Sequence, residues 1–262
     1  QFKEKIDPIR LPFYQAEREP RNGSNEEQVV FRLDKNVSEA LAAIAKEESS
    51  TIFATLTAGF SILIHLYTLK DTIAIGTPIA CREHFNLQDQ IGLYLNTVVL
   101  KLNLKDQESF IMFLRRTQQI IIDAQTHQIY PFNQLIDDLK IPRIPGQHPL
   151  FNIMIDMVSF NLFDRQFESE KGDGFENLNL GINAVPLNHH KSKYDIVINC
   201  AQKGTAIEIA IEYDINHYGN EDIAQMGEHL RTLFQNISVN PHQRISSLTF
   251  FKKPQLNIFP VM

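Results

Sequence analysis

The sequence predicts an α/β fold, a two-layer sandwich whose sheet is largely mixed. Short β-rich runs occur in succession in the second half, at 151–158, 178–185, 194–200 and 206–213. Long segments with apolar residues at helical spacing stand before and after them. No composition break interrupts the chain after residue 27, so one compact unit is expected from 28 to 251. Adjacent strands mixed with long helices indicate a sheet covered by a helical layer.

Residues 1–27 are polar and proline-bearing, with Pro8, Pro12, Pro20 and the Asn22–Asn25 cluster. They read as a connector or surface arm rather than a core element. Residues 28–33 form a short β-rich run. Ser38 then offers a cap to a helix carrying Leu41, Ile44 and Ala45 on one face. A second helix begins near Thr51; Phe53, Leu56, Phe60, Leu63 and Tyr67 mark one face, and its other faces are nearly as apolar, which predicts burial on most sides. A strand over 71–80 ends at Gly76-Thr77-Pro78, and a β-rich run follows at 95–102. Phe110, Phe113, Leu114, Thr117, Ile120, Ile121 and Ala124 mark an amphipathic helix. Pro131 opens a further short helix through Leu139, since proline is tolerated in a first turn. Between the first two late strands lies the charged loop 168–174 with its Asp-Gly turn signal. Ile223, Met226, Leu230, Leu233, Phe234 and Ile237 place a last long helix on one face. Residues 252–262 form a tail.

Composition narrows the function classes. Of 262 residues, 43% are hydrophobic and 10% aromatic, enough for a sizeable core. The net charge of −6 shows no clustered basic face, so no nucleic-acid partner is expected. The longest apolar stretch, 52–67, is interrupted by Thr55, Thr57, Ser61 and His65 and falls short of the ~18 residues a membrane span needs. No secretory signal is visible, and Cys81 and Cys200 read as core residues of a reducing, cytoplasmic compartment.

Nine histidines invite a search for acid–base or metal chemistry. His65, His84, His127 and His148 are isolated, and neither cysteine has a ligand at the short spacings of zinc sites. No nucleophile elbow, P-loop or dinucleotide fingerprint occurs. The residues alone offer no self-sufficient catalytic constellation, metal site or bound cofactor.

Three segments carry a more specific signal: Gly76-Thr77-Pro78-Ile79-Ala80-Cys81-Arg82, then Ile91-Gly92-Leu93-Tyr94-Leu95-Asn96-Thr97, then His127-Gln128-Ile129-Tyr130-Pro131-Phe132. In this order and spacing the chain resembles the C-terminal lobe of a condensation domain from nonribosomal peptide synthetases, the condensation and epimerisation family. Leu11-Pro12 with Pro20-Arg21, Pro149-Leu150-Phe151, Tyr194-Asp195 and Asn240-Pro241 extend the resemblance over almost the whole chain. It implies a chloramphenicol acetyltransferase-like lobe, one of two in a V with a tunnel between them. Carrier-protein-bound aminoacyl and peptidyl thioesters would enter on phosphopantetheine arms and be joined by a peptide bond. The implied partners are the N-terminal lobe, peptidyl carrier proteins and adjacent synthetase domains.

The family's catalytic segment, two histidines, three variable residues and Asp-Gly, belongs to the N-terminal lobe. His189-His190 is the only adjacent pair here, but four residues separate it from Asp195, and Ile196 stands where the glycine should be. A polar strand approach is the favoured reading of that pair, and the chain alone is expected to be inactive. Departures also occur at Ile129, Asn133 and the run Arg143-Ile144-Pro145-Gly146-Gln147-His148.

By the same resemblance, Asn96, Thr97, Arg82 and His127 are candidates for the tunnel or the lobe interface. Asn96 could offer its carboxamide to a substrate amide or satisfy backbone groups at a strand edge. Arg82 could bind a phosphopantetheine phosphate, pair across the cleft or form an internal salt bridge. His127 is expected to be a hydrogen-bonding structural histidine rather than an acid or base. Gly76, Thr77, Pro78, Gly92, Gln128, Pro131 and Phe132 are structural motif residues, with Phe132 a core anchor and the two glycines serving backbone geometry. The functional alternatives are a non-catalytic module recruiting a carrier protein or tailoring enzyme, an epimerisation-domain lobe, and a coenzyme-A-dependent acyltransferase of the same fold.

Overall fold

The structure, a computed structural model, describes residues 8–15, 26–82, 85–87, 89–143, 148–158 and 193–250. A six-stranded sheet runs in the order β1-β6-β5-β4-β2-β3. Its strands are β1 Glu26–Arg32, β2 Thr72–Ala80, β3 Leu95–Asn103, β4 Ile153–Met157, β5 Ile196–Lys203 and β6 Ala206–Asp214. The sheet is mixed. The pairs β1–β6, β6–β5 and β2–β3 are antiparallel, whereas β5–β4 and β4–β2 are parallel. The β5–β6 hairpin closes through Gly204, whose φ of 59° lies in the left-handed region that glycine enters freely.

Five helices accompany it: α1 Lys35–Glu47, α2 Ile52–Thr68, α3 Phe110–Thr126, α4 Phe132–Asp138 and α5 Asn220–Val239. The large core joins Leu41, Phe60, Phe113 and Phe234, one from each of the four longer helices, to alternate strand residues Ile75, Leu100, Ile155, Ile198 and Ile211. That alternation places α1, α2, α3 and α5 on one face, as the period-2 pleat requires. The intervening residues Ala74, Val99 and Met154 face the other way and pack with Ile136 of α4, Phe151 and Tyr194.

Two local expectations are corrected. Asp34, not Ser38, stands at the N-terminus of α1; Ser38 lies inside the first turn, fully buried. Thr51 does cap α2, accepting from Ala54 N at 3.1 Å. Nor is the described part of the N-terminal segment merely a surface arm. Ile9 and Leu11 are buried in the large core, and β1 begins at Glu26. Asn152 fixes this segment: its Oδ1 accepts from Ile9 N at 2.9 Å, and its Nδ2 donates to Ile9 O at 2.6 Å and to Asp195 Oδ2 at 2.7 Å. A lone asparagine before a strand gave no sign of that role. The strand expected at 178–185, the loop 168–174, Pro20-Arg21, His84, residues 144–147, His189-His190 and the tail 252–262 lie outside the described residues.

Candidate functional site

The three motif segments converge at the edge of the sheet. Thr77, Pro78, Ile79 and Ala80 of β2 face Val98, Thr97, Asn96 and Leu95 of β3 in the antiparallel ladder. Strand β2, expected over 71–80, runs through Gly76-Thr77-Pro78 to Ala80. Because α3 packs on one face and α4 on the other, the turn His127–Pro131 must wrap around edge strand β3.

Asn96 fastens that turn. Its Nδ2 donates to Gln128 O at 2.8 Å and to Tyr130 O at 2.7 Å, and its Oδ1 accepts from Phe132 N at 3.1 Å. Both amide hydrogens and one oxygen lone pair are thus engaged by backbone, which is the strand-edge role and leaves little of the carboxamide for a ligand. Thr97, its neighbour, is half-buried opposite Pro78.

His127 ends α3. Its Nδ1 lies 2.8 Å from Asp123 O, and since a carbonyl can only accept, Nδ1 carries the proton. The ring is exposed and acts as a C-terminal cap. Gln128 is buried, and its carbonyl also receives the Cys81 thiol at 3.5 Å. Pro131 precedes α4, where its carbonyl accepts from Leu135 N at 3.1 Å. Tyr130 donates to Asp138, which holds the carboxyl below its ordinary value and raises the phenol.

Arg82 organises the loop between β2 and β3. Its guanidinium donates to the carbonyls of Leu87, Gln90 (2.7 Å) and Gly92 (3.2 Å), and it lies 4.5 Å over the Tyr94 ring. The carbonyls and the aromatic face all belong to this chain. So held, the loop turns Ile91 (104% exposed) and Leu93 (87%) into solvent, and Leu95 and Ile129 are exposed on either side of Asn96. Gly92 sits against Tyr94, where a Cβ would come within 2.9 Å of the ring.

Gly76 has a side-chain reason rather than a backbone one. A Cβ there would lie 2.1 Å from Phe151 Cε2. Phe151 in turn meets Tyr194 at 5.4 Å and Phe132 at 5.7 Å between ring centroids. His148 stacks on Phe132 at 5.5 Å, and burial pushes its imidazole below the ordinary value. Phe132 is thus anchored, and its aromatic company joins the third motif to Pro149-Leu150-Phe151.

On the helical side of the same strand ends lies a cavity of about 280 Å³, lined by Thr77, Pro78 and Ile79 of β2, Val98 and Leu100 of β3, and Gln118, Ile121 and Gln125 of α3 among others. Sequence reasoning did not find it: Thr77, Pro78 and Ile79 belong to the first motif, but Val98, Leu100 and the α3 residues that complete the walls belong to none of the three segments. Among the described residues, no group of three His, Cys, Asp or Glu side chains could hold a metal ion.

The condensation-domain family model matches residues 1–255. The chain belongs to the condensation-domain family. Its relatives include bacitracin synthase 3 of Bacillus licheniformis, 27% identical over 98% of this chain and 4% of that protein. Surfactin synthase subunit 1 of Bacillus subtilis (strain 168) is 28% identical over 87% of this chain and 6% of its own length. Similar folds occur in a four-domain nonribosomal peptide synthetase bound to AMP and glycine (TM-score 0.77, 19% identity, 95% of this chain, 19% of that one) and in the X-domain from teicoplanin biosynthesis (TM-score 0.77, 19% identity, 93% and 54%). The chain therefore spans a small fraction of its synthetase relatives and about half of the separate X-domain. The mixed sheet with its helical layer is the condensation-domain, chloramphenicol acetyltransferase-like architecture.

Proposed function

We propose that this chain is the C-terminal lobe of a condensation domain that joins carrier-protein-bound aminoacyl and peptidyl thioesters by a peptide bond in nonribosomal peptide synthesis, in the cytoplasm. One observation carries the lobe assignment. The apolar side chains Ile91, Leu93, Leu95 and Ile129 are presented to solvent from segments fixed by Arg82 and Asn96. A fixed apolar surface fits a partner of the same kind, the N-terminal lobe. That lobe supplies the histidine loop, and the phosphopantetheine arms of peptidyl carrier proteins bring the substrates between the two.

Proton transfer needs a group within about 2.6–3.2 Å of the proton moved, and joining two thioesters needs both held in one frame. This chain alone, without an N-terminal lobe, forms no amide bond. The test joins it to an N-terminal condensation lobe carrying the His-His-x-x-x-Asp-Gly loop and looks for dipeptide from loaded donor and acceptor carriers by mass spectrometry. Product from the joined lobes and none from the chain alone is expected. No product from the joined lobes, or product from the chain alone that is lost on His190→Ala, overturns the reading.

The altered run Arg143-Ile144-Pro145-Gly146-Gln147-His148 favours a second reading, a non-catalytic module that recruits a carrier protein or tailoring enzyme. It requires the chain to bind carrier protein while the joined lobes remain inactive.

A further inference from the structure

A file of aromatic rings ties two irregular segments to the helical layer. In order, Tyr218, Phe13, Tyr67, Phe250 and His229 lie 5.8, 5.7, 5.3 and 4.6 Å apart between ring centroids. Phe13 comes from the N-terminal segment and Phe250 from the stretch after α5, whereas Tyr67 belongs to the end of α2 and His229 to α5. The first three contacts are edge-on, so that a ring's positive edge meets its neighbour's negative face.

One polar bond lies inside this file. Tyr67 Oη is 2.7 Å from His229 Nδ1, its only hydrogen-bond partner among the described residues. A half-buried O–H without an acceptor costs more than an unused lone pair, so the phenol donates and Nδ1 accepts. Burial keeps the phenol an O–H by raising it above its ordinary value. Burial also pushes the imidazole below its ordinary value, against the smaller pull of the Glu228 carboxylate, which lies 3.4 Å from Arg231. The ring is therefore neutral, with its hydrogen on Nε2.

Protonation undoes that bond. An imidazolium carries hydrogen on both nitrogens and has no lone pair with which to accept. The Tyr67 hydroxyl could then only accept from Nδ1, and its own hydrogen would be left without a partner among the described residues. Phe250 packs on both rings and Phe13 on Tyr67, so both segments feel the change.

We propose that Tyr67 and His229 form a proton-sensitive clasp, which fastens the segments of Phe13 and Phe250 to α2 and α5 while His229 is neutral and loosens both together when it is protonated. Above 6.5, the ordinary value of a histidine, the ring is neutral whether clasped or released, and the clasp holds in full. As pH falls below 6.5 the released ring takes the proton first, so the clasp weakens, levelling off only below the lowered value of the clasped ring. The inference does not depend on the condensation reading.

The sequence contains no tryptophan, so Phe250→Trp places a single fluorescent reporter against His229 in the whole chain. Between pH 8 and pH 5 its emission maximum moves to longer wavelength, with a midpoint below 6.5, and returns on neutralisation. His229→Asn in that background keeps an acceptor near the place of Nδ1 and cannot titrate, so the shift is absent. An emission maximum constant with pH, or the same shift in His229→Asn, overturns the proposal. The unsubstituted chain gives a second readout by NMR. At pH 8 His229 Nδ1 carries no hydrogen, and the amide signals of Phe13 and Phe250 move with the titration of the ring. A protonated Nδ1 at pH 8, or amides indifferent to that titration, overturns the proposal as well.

Discussion

The ring of Phe151 occupies the space that a side chain at residue 76 would need: a Cβ on Gly76 would stand 2.1 Å from Phe151 Cε2 and 2.3 Å from Cζ. Two motif segments 75 residues apart in the chain are joined by that contact. The aromatic group of Phe151, Phe132, His148 and Tyr194 is seated by it. Gly76→Ala forces the ring or strand β2 to shift and should cost about 1–3 kcal/mol, the range for overpacking a close-packed interior. Phe151→Leu in the same chain makes room, so the double variant should lose less than the sum of the two single losses. Chemical denaturation of the four proteins measures this, and strictly additive losses would contradict the contact.

Asn96 tests the wrapping turn. Asn96→Ala removes the carboxamide that bonds the carbonyls of Gln128 and Tyr130 and the amide of Phe132 and should destabilise by about 1–3 kcal/mol. Asn96→Asp keeps the acceptor for Phe132 and loses both donors. Hydrogen exchange at the Phe132 amide should quicken in the alanine variant and stay slow in the aspartate one.

Glu212 makes stability depend on pH. Burial first, and then the neighbouring Glu26, push its carboxyl up to about 7 from an ordinary 4.5. Below pH 4.5 the group is protonated in folded and unfolded chains alike, so it contributes no penalty. Between 4.5 and about 7 the unfolded chain gives up the proton while the folded one keeps it, so stability falls as pH rises and then levels off. Asn199 Nδ2 donates to Glu212 Oε1 at 2.8 Å and softens the cost without removing it. Glu212→Gln should melt higher than the parent at pH 8 and no higher at pH 4.5. Parallel melting curves across that range would show that Glu212 is not the source.

Leu69 ends α2 in the left-handed region at φ 54°, with its side chain 81% exposed and its N–H donating to His65 O at 2.7 Å. A side chain there costs about 1–2 kcal/mol that glycine avoids, and little packing is lost with it. Leu69→Gly should therefore raise the melting temperature. A fall would mean that the exposed leucine makes contacts not visible in the isolated fold.

The sequence by itself determined the elements and the family. Apolar spacing located α2, α3 and α5, and β-rich runs located β4, β5 and β6, because a helix or strand face that meets a core must repeat with the period of its backbone. The Gly-Thr-Pro, Asn-Thr and His-Gln-x-x-Pro-Phe segments sufficed for the resemblance, since their order and spacing are written in the chain. Only the tertiary structure decided what those residues do. Asn96 reads equally well as a ligand group or a strand-edge group until the turn at 127–131 is seen to wrap around β3. Gly76 reads as a backbone glycine until Phe151, 75 residues on, fills its side-chain space. Ile9 and Leu11 lie among prolines and charges, so no periodic pattern announced their burial, and Asn152 holds Ile9 through a contact 143 residues long in sequence. The cavity of Gln118 and Val98 is equally silent, because concavity arises from the packing of a helix on two strand ends, and the Gly-Thr-Pro motif in one of them does not say what lies opposite.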